Sequence, residues 1–176
     1  MAGIISEKVF RYSTQINDKN HRYLSWEHCF KYFNEENIEI EKSCLHLSFY
    51  LASWGMYRGS SFLLWKDYLL HKEIVEKIIS VRKDFQNINF ASVSDTDLKE
   101  IIKLCDFIRV WYSKNTGKIN GEDRKTIPSD ILITKILLGT LGCLPAYDRF
   151  FVFGLSTHKI APKTVSLKGL KQLVEF

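Results

Sequence analysis

Residues 131–142 read "ILITKILLGTLG". On a helical wheel the run is apolar on every face, and a helix of that kind is buried on all sides. It therefore predicts a central buried helix. A second such helix is predicted over 39–55, "EIEKSCLHLSFYLASWG", which is apolar almost all round from Cys44 onward. Gly55 or Gly59 is its expected stop, because glycine reaches the left-handed conformation without steric cost. Two buried helices need a surrounding layer, and the remaining patterns supply one.

A helix is predicted over 25–36, with Ser25 as cap and Trp26, Phe30 and Phe33 at helical spacing. The run 60–70 predicts another, capped by Ser60 or Ser61. The segment 71–85 continues it with an apolar stripe of Ile74, Ile78, Val81 and Phe85. After a break at 86–95, Ser94 and Asp97 form a capping-box pattern. They open a helix to about residue 114 that turns Leu98, Ile101, Ile102, Cys105, Ile108 and Tyr112 inward. Residues 143–155 read as a turn and then a buried helix, with Pro145 at its start. A short amphipathic helix over 165–176 runs to the last residue.

Two segments stand apart. Residues 1–22 are polar and weakly patterned. Residues 114–130, "KNTGKINGEDRKTIPSD", carry two glycines, a proline and seven charges, and read as a long flexible loop. The expected fold is all-α: one compact domain over 1–176, of about seven or eight helices around two buried central ones. With only 9 Gly and 3 Pro among 176 residues, frequent strand-linking turns are not expected.

The net charge of +5 is a mild excess, compatible with a phosphate-bearing partner or a nucleic acid. The four cysteines, Cys29, Cys44, Cys105 and Cys143, have no paired spacing. They are expected to be reduced, buried thiols of a cytoplasmic protein. Neither a secretory signal nor a membrane-spanning run is expected, and no metal site or cofactor. The standard motifs for phosphate loops, dinucleotide folds, zinc proteases and serine hydrolases are absent from the sequence.

The candidate site comes from charges set in apolar surroundings. Between Ser43 and Trp65 the only fixed charge is Arg58, with His46 the only imidazole. Between Ile131 and Thr157 the only charges are Lys135, Asp148 and Arg149. A buried charge costs several kcal/mol unless paired, so these residues are expected to meet, with Arg58 beside Asp148. The plainer alternative is a buried ion pair that only fixes packing. The functional reading adds "RGSS", where Gly59, Ser60 and Ser61 come after Arg58 at an expected helix N-terminus, a setting that favours an anion. Trp54 and His46 complete the expected ligand-binding set with Arg58, Gly59, Ser60, Ser61 and Arg149. Asp148, expected in a first helical turn and ionised, and Lys135 are the candidate catalytic pair.

The segment "TKILLGTLGCLPAYDRFF" (134–151) resembles part of the helix-hairpin-helix DNA glycosylases. The resemblance implies a catalytic role for Asp148, but the family's Gly-rich hairpin is missing. The core from about 43 to 155 also resembles a bacterial family of helical proteins of unassigned function, which implies a shared fold and no activity. Three functions are expected on these grounds: a central polar site for an anionic nucleotide or nucleic-acid ligand; a glycosylase-like enzyme using Asp148; or a protein-interaction module presenting Trp26, Trp111 and Tyr112.

Overall fold

Helix α6 (Asp130–Thr140) of the computed structural model occupies the centre, as its all-round apolarity demands. Leu132 through Leu137 are all buried along it, the lysine at 135 included. The structure describes residues 2–85, 88 and 92–176, with the side chains of 2–5 and 16 left aside. The other helices are α1 (Ala2–Ile16), α2 (Leu24–Phe33), α3 (Ile40–Ser53), α4 (Lys72–Phe85), α5 (Asp95–Asn115), α7 (Arg149–His158) and α8 (Leu167–Glu175). Among the described residues there is no strand, only an isolated bridge between Ile119 and Glu122. None of the described helices is long and apolar enough to cross a membrane.

Helices α2, α3 and α6 pack mutually, and α4 and α5 close the other side. The approach of α3 to α6 depends on Gly139. A Cβ there would lie 2.3 Å from Cε1 of the buried Tyr50 on α3. Helix α3 ends as its sequence dictates. Gly55, at φ +77, donates to Ala52 O, and Met56 donates to Leu51 O, the paired bonds of a Schellman stop. Helix α5 starts on the expected capping box, with Ser94 and Asp97 bonding reciprocally. The expected inward stripe of α5 holds, with Leu98, Ile101, Cys105, Ile108 and Tyr112 buried and Ile102 half-buried against the core.

Several expectations are corrected. The weakly patterned first 22 residues contain α1. Ser25 lies within α2 and donates to Arg22 O instead of capping. The run 60–70 is two short 3-10 turns, Phe62–Trp65 and Tyr68–His71, not an α-helix. Ser61 caps the first and Asp67 the second, with Lys66 extended between them, so each polar side chain restarts the chain after one turn. Pro145 stands in the connection before α7, and α7 is a surface helix: Leu155 is buried, while Phe150 and Phe153 are each 71 % exposed. Half of the break read at 86–95 falls outside the described residues. The 114–130 segment is a loop from 117 to 129, pinned by buried Thr126 and Pro128 and by a bond from Lys66 Nζ to Lys118 O. All four cysteines are buried and unpaired. Burial raises every thiol pKa, Cys44 to about 11 and Cys105 and Cys143 to about 12.

Candidate functional site: a basic cleft at the end of helix α3

The C-terminus of α3 gathers the charges. Its last carbonyls are left without helical partners and carry the negative end of the helix dipole. Lys135, reaching across from α6, donates to Trp54 O at 2.7 Å. Arg22, from the turn before α2, donates to Ser53 O at 3.3 Å. Both cations also lie over the Trp54 ring, Arg22 at 5.3 Å and Lys135 at 6.0 Å from its centroid. Trp54 is fixed by its own bond to Ser25 Oγ at 3.1 Å and by a stacked Tyr23 at 5.3 Å.

Next to this platform the Schellman turn folds Arg58 back. Its side chain lies over Gly55, where an added Cβ would meet Nε at 3.0 Å. From the opposite wall comes α7. Asp148 is its N-cap, and Oδ1 accepts from Phe150 N at 3.0 Å and Phe151 N at 3.1 Å. Arg149 is the next residue, with its guanidinium 4.6 Å from the Phe150 ring centroid. These side chains enclose a cleft of about 570 Å³, lined by Arg22, Arg58, Lys135 and Arg149 against one carboxylate, Asp148. Trp54, Tyr23 and Phe150 complete its polar and aromatic surface.

No family model matches this chain, and no curated protein or solved structure matches it.

The fold thus brings together five of the nine expected site residues: Trp54, Arg58, Lys135, Asp148 and Arg149. Gly59, Ser60 and Ser61 line an adjoining depression of about 520 Å³, which shares Gly55, Met56 and Arg58 with the cleft. The expected anion seat at a helix N-terminus does not form there. Beyond Ser61 the chain makes only a single 3-10 turn, and the Ser61 hydroxyl is engaged by Leu63 N. His46 lines neither depression. It stacks on Tyr32 at 4.2 Å, and burial lowers its pKa.

The expectation of buried, mutually paired charges is corrected at two positions. Arg58 and Arg149 are exposed, so neither requires a partner, and among the described residues Arg58 and Asp148 form no ion pair. Asp148 caps α7 rather than sitting in its first turn. Of the four, only Lys135 is a buried charge, at 7 % exposure. Burial depresses its pKa; Asp148 opposes the shift, and Arg58 and Arg22 add to it.

Sequence reasoning missed Arg22, Tyr23 and Phe150. The first two lie at the end of a segment without apolar periodicity, and only the fold carries them to α3. Phe150 had a readable signal: with Asp148 as cap, Phe151 and Leu155 mark the inner face of α7 and leave Phe150 outside. The aromatic surface expected from Trp26, Trp111 and Tyr112 does not form. Tyr112 is fully buried, the two tryptophans pack against the core, and Trp26 donates to Leu138 O.

Proposed function

We propose that the cleft binds a phosphate-bearing anion, as a nucleotide or as part of a nucleic acid. One observation carries this reading: four cationic side chains line a single cleft whose one carboxylate is engaged in capping α7. Two of the four, Arg22 and Lys135, are held in place by the carbonyls ending α3, so the charge is positioned before any ligand arrives. The other two, Arg58 and Arg149, are exposed at the mouth, within reach of an entering anion. Arginine suits this task, because its planar fork meets phosphate oxygens two at a time. The net charge of +5 steers such ligands toward the protein.

An enzymatic reading, with Asp148 as catalytic carboxylate and Lys135 beside it, draws support from their sharing this cleft and from the field of Asp148 on the Lys135 ammonium. The binding reading needs fewer assumptions, because Asp148 already has a structural task.

Calorimetric titration with pyrophosphate, ATP and a short oligonucleotide at low salt tests the proposal. Binding is expected, weakened at least about tenfold in the Arg58→Ala/Arg149→Ala double variant. Both positions are exposed, so the variant keeps its fold. Absence of binding to all three probes at low ionic strength overturns the reading.

A further inference from the structure

The cleft does not end at Arg58. That residue borders both the basic cleft and the adjoining depression of about 520 Å³, whose other walls include Ser60, Phe62, Ile127 and Ser129. The two halves differ in chemistry. The first holds the cations; the second offers hydroxyls and an apolar rim. Exposed apolar side chains mark both ends: Phe150 (71 %) on the basic wall, with Phe153 one turn further along α7, and Ile127 (73 %) on the far rim. Ile127 stands between buried Thr126 and buried Pro128, so the loop backbone is held while its side chain projects.

We infer that the two depressions form one continuous track for single-stranded nucleic acid, with phosphates on Arg22, Arg58, Lys135 and Arg149 and unpaired bases against Phe150 and Ile127. The inference rests on the phosphate-binding reading above and specifies its ligand. A basic groove with aromatic faces beside it is the physical recipe for binding single strands without sequence preference. A duplex hides its base faces, leaving Phe150 and Ile127 nothing to cover. A mononucleotide fills one half and leaves the other unused. A chain of nucleotides supplies charge to the cleft and apolar surface to the rim at once.

Fluorescence anisotropy with labelled oligothymidylates from about two to about eight residues tests this, with pyrophosphate, thymidine monophosphate, a duplex and poly-glutamate as competitors. Affinity is expected to rise at least about tenfold from the mononucleotide to the longer strands. It should fall about fifty-fold between about 50 and about 200 mM salt if all four cations engage, since each phosphate contact contributes about 0.7 to the logarithmic slope for single strands. Phe150→Ala is expected to weaken the oligonucleotide at least about fivefold. Ile127→Ala, which lines only the adjoining depression, should act in the same direction and leave the affinity for pyrophosphate unchanged. Both side chains are exposed, so neither change threatens the fold. Equal affinity for mononucleotide and oligonucleotide, or no effect of either variant, overturns the track while leaving the phosphate site standing. A duplex or poly-glutamate competing as well as the single strand overturns it too. If pyrophosphate and every oligonucleotide fail to bind at low salt, both readings fall together.

Discussion

Acid should loosen this protein through His71. The imidazole is fully buried between two tyrosines: Nε2 meets Tyr57 Oη at 2.9 Å and Nδ1 meets Tyr112 Oη at 2.5 Å. Tyr57 in turn donates to Ser48 Oγ at 3.3 Å, and the Phe62 ring packs on Tyr112 at 5.3 Å. A neutral ring satisfies this setting with one donor and one acceptor. Burial of the charged form lowers the pKa from 6.5 to about 4. Between these values the unfolded chain holds the proton and the folded one does not. Stability is therefore intact above pH about 6.5 and falls as the pH drops toward 4. At about 1.4 kcal/mol per pKa unit, the loss between pH about 7.5 and about 4.5 is about 2.5 kcal/mol from this residue. Urea unfolding of the wild type and His71→Gln at the two pH values measures it. The variant is less stable at both, but its loss across the window should be smaller by that amount. The titrations of Asp95 and Asp97, whose pKa values are lowered by bonds to Lys171 and Ser94, lie below this window. Identical pH slopes in the two proteins refute the reasoning. So does an NMR titration of the wild-type imidazole with a midpoint near 6.5, a readout independent of whether the variant folds.

Gly139→Ala should destabilise by about 1–3 kcal/mol despite the better helix propensity of alanine, because the new methyl meets the Tyr50 ring at 2.3 Å in a packed core; chemical denaturation checks it. Asp148→Asn keeps a good N-cap and removes the charge, so thermal unfolding should be nearly unchanged. Its sign on function is diagnostic. For a phosphate-binding cleft the loss of the one carboxylate tightens anion binding, whereas for a glycosylase-like enzyme it abolishes base release.

The architecture was legible where burial is total. Residues 131–142 admit only a central position, and the stripe of 95–114 with its capping box leaves little choice. Legibility fails where apolar residues are not buried. In α1, Val9 is 58 % and Phe10 74 % exposed, and hydroxyls of Ser13 and Thr14 bond back to Val9 O and Phe10 O. Tyr12 ties the helix to the rest by bonding Glu27 and stacking on Tyr23, polar and aromatic contacts that leave no apolar period in the sequence. The run 60–70 fails for another reason. Its apolar content suits a helix, but Ser61 and Asp67 each bond a backbone N–H two residues on, and that local competition breaks the run into single turns.

Isolated charges led to the site for a reason that holds in full at one residue and in part at the others. Charges in apolar stretches mark places where the chain leaves the core, and such places cluster at helix ends. Lys135 is the full case: a buried ammonium paired with a helix C-terminus instead of a carboxylate. Arg58 lies just past the end of that same helix because Gly55 turns the chain there, and Arg149 opens α7 immediately after its cap. All three are thus consequences of where α3 stops and α7 starts. The convergence of those two helix ends, more than any pairing of opposite charges, produces the excess of positive charge in the cleft. It also makes the site's charge separable from its stability: replacing Arg58 or Arg149 leaves both helix ends intact, while replacing Lys135 uncovers the carbonyl of Trp54 and disturbs the platform itself.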